Sequence, residues 1–390
     1  MAPWRSFFQE AGVGIGMLLF FLSEGNVKTR VKGWRLLSLV CPLVIIAIHP
    51  AFFEINNAYV MEASYLAGFY ILMSWFFYGC GVAIDFNYNI VRRIALLLCL
   101  IGLLQAVVGY MQWFGMLEMV SEDNWWAATG QKGGRVSGNI FQANNYATLI
   151  IMSIFAAFEV FLGRIAFSDK AHAKVTGWGL VLFLSGALAL AQSRTGLLSL
   201  IITIIFLMVK SYNDNRAVFS KINIPYIIMA GINLMLFWLL PFLANIILNT
   251  ASISRLSVDS SHRIDAWKMF FSAFMDSPLF GYGPGATASV NYQRVLDFQN
   301  LGISIFAHTH NILLDAALAG GAVMLVWLFF IVFRWVQIVK PLRLDGEKGV
   351  LFMMILPFVT HSLLELPHFY GYFLWPIMYF AGYIRSNEIN

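Results

Sequence analysis

Apolar runs of membrane-spanning length alternate with short polar stretches along most of this chain. A helix needs roughly 20 apolar residues, with a range of about 17–25, to cross a hydrocarbon core. The runs predict spans at 7–23, 36–53, 64–84, 94–116, 145–163, 175–192, 195–210, 224–249, 311–333, 349–366 and 370–384, about eleven in all. The first is short and contains glycine, as an interfacial or re-entrant segment would, and the last is also short. The pattern predicts an all-α fold, a polytopic transmembrane helical bundle interrupted by one long polar loop. That loop divides the chain into N-terminal helices over 1–250, a loop over 251–310 and C-terminal helices over 311–390.

Within the loop, Ser260 and Ser261 suit a helix cap, with Asp265 in the first turn. Ile264, Trp267, Phe271 and Phe274 recur on one side, which predicts an amphipathic helix lying on the membrane. Its start presents Arg263. The cluster Pro278…Gly281-Tyr282-Gly283-Pro284-Gly285 ends it and turns the chain back. A further polar stretch leads to His308-Thr309-His310-Asn311, where the next apolar run begins. A second polar segment spans 117–144, and its Trp125-Trp126 pair fits an interfacial belt. The Gly- and Asn-rich run after it holds Arg135, Asn139, Gln142 and Asn144. Its backbone N–H groups suit an anion at a helix N-terminus, although glycine and asparagine also simply make turns. A third segment, Gln192-Ser193-Arg194-Thr195-Gly196, is a very tight connection that keeps Arg194 near the bilayer surface. There it serves as a phosphate ligand or as an arginine snorkelling to the headgroups.

Composition agrees with the pattern. Of the 390 residues, 59% are hydrophobic and only 12% charged, about half the charged share of a soluble protein. The net charge of +5 is modest and gives no nucleic-acid signature. Cys41, Cys80 and Cys99 all fall in apolar runs and read as small buried hydrophobes. The first run lacks a basic leader and a cleavage site, so no cleavable signal peptide is expected. Most of the 25 Lys and Arg residues fall in the loops 24–35, 85–93, 164–174, 210–223 and 334–348 and in the tail from 385. The excess of basic residues in cytoplasmic loops places that face inside. The opposite face carries Arg5, Lys132, Arg135, Arg194, Arg255, Arg263, Lys268 and Arg294, mostly arginines. Arginine binds phosphate bidentately and stays charged, so an outward-facing phosphate site would account for them. Long loops that escape the charge bias would too.

The order Gly138-Asn139…Gln142…Asn144, Ser193-Arg194-Thr195-Gly196, Arg263…Trp267…Pro278-Leu279-Phe280-Gly281-Tyr282-Gly283-Pro284-Gly285 and His308-Thr309-His310-Asn311 resembles the bacterial O-antigen ligase superfamily. That group contains O-antigen ligases, O-antigen polymerases and pilin-type protein O-oligosaccharyltransferases. The segment His361-Ser362-Leu363-Leu364-Glu365-Leu366-Pro367 with Tyr370 and Tyr372 looks most like the protein-glycosylating branch. Relative to that branch's larger members, the chain stops soon after its last span, without a C-terminal soluble domain, and looks short at its N-terminus. The resemblance covers roughly residues 130–380. It implies an enzyme of the bacterial inner membrane, with its site facing the periplasm. The donor would be a glycan on undecaprenyl diphosphate, and the acceptor a hydroxyl of a protein such as a pilin, of lipid A-core, or of another glycan. No metal, cofactor or nucleic acid is expected.

The residues suit that chemistry. Breaking the bond from a sugar C1 to a prenyl diphosphate builds negative charge on the leaving group, and fixed cations stabilise it. Arg194 and Arg263 are the candidates, with Arg135 and Arg255 as weaker ones. The attacking hydroxyl must lose a proton, and histidine can take it at neutral pH. The resemblance assigns that role to His310, with His308 and Asn311 orienting the loop or bonding the glycan. Glu365, an ionisable group near a span's end, suits holding a histidine, an arginine or a sugar hydroxyl; a plain structural ion pair is the alternative. His361, one turn earlier, reads as structural. A transporter or flippase of the same lipid-linked glycan is the rival from another class. It would favour broken helices and ionisable groups at mid-depth in both halves, whereas here they gather at one face.

Overall fold

The computed structural model describes residues 7–23, 58–84, 87–117, 127–130, 132–163, 165–166, 168, 170–214, 223–248, 261–298, 306–344 and 346–386. The expected span at 36–53 and the candidate Arg255 lie outside them. Among the described residues the chain is helical. Twelve α-helices run in order: α1 Phe7–Ser23, α2 Ala58–Ala83, α3 Tyr88–Phe114, α4 Ala143–Phe161, α5 Ala171–Leu190, α6 Arg194–Asn213, α7 Ile224–Leu248, α8 Ser261–Asp276, α9 Thr287–Arg294, α10 Ile312–Val339, α11 Gly346–Ser362 and α12 Gly371–Ile384. Among the described residues, seven helices are long and apolar enough to cross a membrane: α2 through α7, and α10. Each expected span within the described residues has a helix in its place, because a long apolar stretch in lipid must satisfy its backbone internally.

The chain forms two compact units. The first comprises 1–86, 258–340 and 362–390, and the second 87–257 and 341–361. In the first unit α2 packs along α12, α1 leans on α12, and α8 packs on α9 and α10. In the second, α3, α4 and α5 pack on one another, while α7 packs on α5 and α6. Helix α4 is its centre: Ile150, Ile151, Ile154 and Phe155 are fully buried.

The long loop contains the expected amphipathic helix, α8, but its faces differ from the expectation. Asp265 lies beyond the first turn and pairs with Lys268 at 3.0 Å. The side facing protein is Ala266, Met269, Phe270 and Ala273, which pack with Val290, Val295 and Leu318. Phe274 joins that core, while Ile264 and Phe271 point outward. Small Ala266 and Ala273 let α8 approach its neighbours closely, and a search for large apolar residues passes over them.

Helix α10 is broken at Gly320 (φ −150°) and Gly321 (φ 63°). The turn at 278–281 fills the break. Leu318 O accepts from Tyr282 N at 2.6 Å, and Ala322 N and Val323 N donate to Pro278 O and Leu279 O at 2.7 and 3.3 Å. Those backbone groups, released by the kink, would otherwise lie unpaired. A Cβ on Gly281 would sit 2.4 Å from Leu318 O, and one on Gly321 2.2 Å from Leu279 O. Both glycines are therefore required by the close approach as well as by their positive φ. The Pro-Leu-Phe-Gly cluster serves to dock α8 against α10.

Candidate active site

Two side chains, those of Arg263 and His310, meet on Glu365, which follows α11 and is 1% exposed. Arg263, in the first turn of α8, donates from Nη2 to Glu365 Oε1 and from Nη1 to Leu364 O at 3.3 Å. His310 Nδ1 lies 2.8 Å from Glu365 Oε2. A carboxylate accepts only, so the imidazole donates from Nδ1 and keeps its acceptor lone pair on Nε2. The carboxylate thus fixes the tautomer in which Nε2 takes up a proton. The Arg263 side chain is 43% exposed and that of His310 29%. Both therefore reach solvent from a buried anchor. Removing both from a buried carboxylate would leave an uncompensated charge.

His310 is held in left-handed backbone (φ 57°), which costs a non-glycine residue about 1–3 kcal/mol. Its neighbours hold it there. Asn311 caps α10, its Oδ1 accepting from Leu313 N at 2.9 Å and Leu314 N at 3.3 Å. Thr309, 2% exposed, donates from Oγ1 to Asn311 O at 2.9 Å. Trp267 Nε1 donates to Thr309 O at 2.9 Å. Phe306 N donates to the buried Asn291 on α9, which anchors the chain just before the loop. The His308 ring is half-buried against Phe369, with ring centres 4.4 Å apart. Burial lowers its pKa, and the charge of Asp315 works against that shift.

The remaining candidates belong to the second unit. Arg135 donates from Nε to Ala191 O at 2.6 Å and from Nη2 to Asn144 Oδ1. The same Asn144 oxygen accepts from Ser193 Oγ at 2.8 Å, and Ser193 Oγ accepts from Gly196 N to cap α6. Asn139 Oδ1 accepts from Ala128 N at 2.8 Å. Gln142 precedes α4 and buries an Oε1 that has no hydrogen-bond partner among the described residues. Arg194 is exposed at the first position of α6. Four amides of the Gly-rich run are taken up by protein acceptors. Gln112 Oε1 accepts from both Ser137 N and Gly138 N at 3.0 Å, Gln105 Oε1 accepts from Asn139 N, and Leu190 O accepts from Val136 N. His361 faces into this unit, its Nδ1 2.5 Å from Thr148 Oγ1.

Sequence reasoning gave Trp267 and Thr309 no role in the site, and passed over Asn291, Asp315, His368 and Gln112. Asp315 in the first turn of a helix and Gln112 in an apolar run each carried a signal. The others depend on contacts across distant parts of the chain.

The comparisons with known proteins bear on this constellation. The O-antigen ligase family profile matches residues 179–329. That stretch of the chain is similar to the O-antigen ligase family. The matched stretch includes Arg194, Arg263, His308, His310 and Asn311 and ends before Glu365. Two proteins of Acinetobacter baylyi are also similar to the chain. The ComP-specific O-oligosaccharyltransferase is 24% identical over 349 residues, 87% of this chain and 57% of its own length. The General O-oligosaccharyltransferase is 22% identical over 411 residues, 99% of this chain and 66% of its own length. The chain thus spans less than two thirds of the length of the curated relatives it matches.

Proposed function

We propose that this chain moves a glycan en bloc from undecaprenyl diphosphate to an acceptor hydroxyl, at the periplasmic face of a bacterial inner membrane. The observation that carries the reading is one buried carboxylate, that of Glu365, shared by Arg263 and His310. It ties a cation for the leaving group to a base for the nucleophile. The acceptor O–H gives its proton to His310 Nε2. The oxygen then bonds to C1 of the first sugar as the C1–O bond to the diphosphate breaks, with inversion at C1. The electron pair departs with the diphosphate, and the remaining N–H donors of Arg263 stabilise it. Arg194, exposed at the start of α6 in the second unit, is the further cation that the sequence offers for phosphate.

The similarity to two O-oligosaccharyltransferases favours a protein hydroxyl as acceptor. The family profile supports a second reading, ligation to lipid A-core. Purified protein, reconstituted with lipid-linked glycan and offered a pilin, lipid A-core or a second donor molecule in turn, separates these from glycan polymerisation. Flipping of donor without transfer to any acceptor would identify a transporter instead. His310→Ala should bind donor and transfer about 10²–10⁴-fold more slowly, the usual span for removing a general base. Wild-type transfer by His310→Ala would end the catalytic assignment.

A further inference from the structure

The loop bearing His310 and the turn bearing Glu365 are joined twice, in opposite directions. Glu365 reaches from the turn to His310 in the loop. Asp315, in the first turn of α10, reaches from the loop side to the turn, where His368 Nε2 donates to its Oδ2 at 3.2 Å. The other Asp315 oxygen, Oδ1, accepts from Thr309 N at 3.2 Å. With Trp267 on Thr309 O, and with Thr309 Oγ1 exchanging bonds with Asn311 O and Asn311 N, every polar atom of Thr309 is held. His310 is the next residue, and its backbone is in the left-handed region.

We propose that Asp315 is a positioning residue for the transfer reaction, holding Thr309 so that His310 keeps the left-handed conformation in which its ring meets Glu365, with His368 as the second arm of the clamp. The inference rests on the reading of His310 as the base. A left-handed histidine relaxes unless its surroundings fix it. Relaxation turns the ring relative to Glu365 and frees the tautomer. A carboxylate is required because two donors, Thr309 N–H and His368 Nε2–H, converge on one side chain. An amide presents one oxygen and sets an NH2 against the other donor.

The test is transfer kinetics in the reconstituted full chain, with lipid-linked glycan as donor. Asp315→Asn should lower kcat about 10–100-fold, the size seen when a group orienting a functional side chain is lost, and leave KM for donor within about twofold. Placed on His310→Ala, it should lower the residual rate no further, because it acts through that ring. His368→Ala should repeat the kcat loss, and His368→Gln, which keeps a donor for Asp315, should restore at least half of it. Wild-type kcat in Asp315→Asn beside an impaired His310→Ala overturns this inference alone, as does an equal loss in the His310→Ala background. Wild-type transfer by His310→Ala overturns the catalytic reading and this inference together. If Asp315→Asn does not fold, judged by its thermal unfolding midpoint in detergent, the His368 pair decides. Equal rates for His368→Ala and wild type, or for His368→Gln and His368→Ala, then refute the proposal.

Discussion

Glu365 offers one oxygen to Arg263 and the other to His310, from a side chain almost entirely out of solvent. Glu365→Gln keeps the volume but loses the charge that sets the His310 tautomer. Steady-state transfer should fall by a factor on the order of 10²–10⁴ with the protein still folded. Arg263→Ala should weaken both donor binding and turnover, with kcat/KM down about 10²–10³-fold, as when one fixed donor to a developing anion is removed. His308 gives a pH signature. Burial lowers its pKa in the folded protein, whereas an unfolded histidine titrates near about 6.5. The unfolded chain therefore binds the proton first. The stability His308 contributes is present above that pH and is lost as pH falls through the lower folded value. The unfolding midpoint in detergent should drop as pH falls below about 6.5, and His308→Gln should flatten that drop.

Helix α10 and the turn at 278–281 depend on each other, since each satisfies backbone groups the other leaves open. Gly281→Ala adds left-handed strain of about 1–2 kcal/mol and an overpacking cost of about 1–3 kcal/mol. It should visibly lower the unfolding midpoint and loosen α8, read as faster proteolysis between 276 and 290. The apolar runs located these helices well. Backbone satisfaction in lipid makes run length nearly sufficient to find a helix, and the ends at Phe7, Ile224 and Ile384 coincide with the apolar limits. The break at Gly320 was not legible, because two small residues in an apolar stretch look like ordinary membrane helix. His310, Arg263 and Glu365 were legible as charged or ionisable groups near membrane boundaries. Their meeting was not, since the residues are far apart in sequence and no local period links them. Thr309 stood in the motif without a role of its own, because a threonine has no charge to betray it. In the Gly-rich run, Gln112 takes the amides of Ser137 and Gly138 from within a neighbouring helix.

Over the molecule, the exposed apolar residues are those of a multi-pass membrane protein. Leu97, Leu100 and Leu104 on α3, Phe242 on α7 and Phe329 on α10 are each more than half exposed. Such surface is stable against lipid and not against water. The basic loops predict an orientation that labelling tests. In a variant with Cys41, Cys80 and Cys99 replaced by Ser, an impermeant thiol reagent should label Lys132→Cys and Arg294→Cys from the periplasm. It should label Lys170→Cys and Arg343→Cys only after the inner membrane is opened. Labelling in the reverse pattern would place the site inside the cell. The order in which the residues leave the ribosome adds one consequence. Arg263 and His310 are synthesised before Glu365, the glutamate that orients the histidine. A nascent copy halted before Glu365 emerges would hold an undirected imidazole.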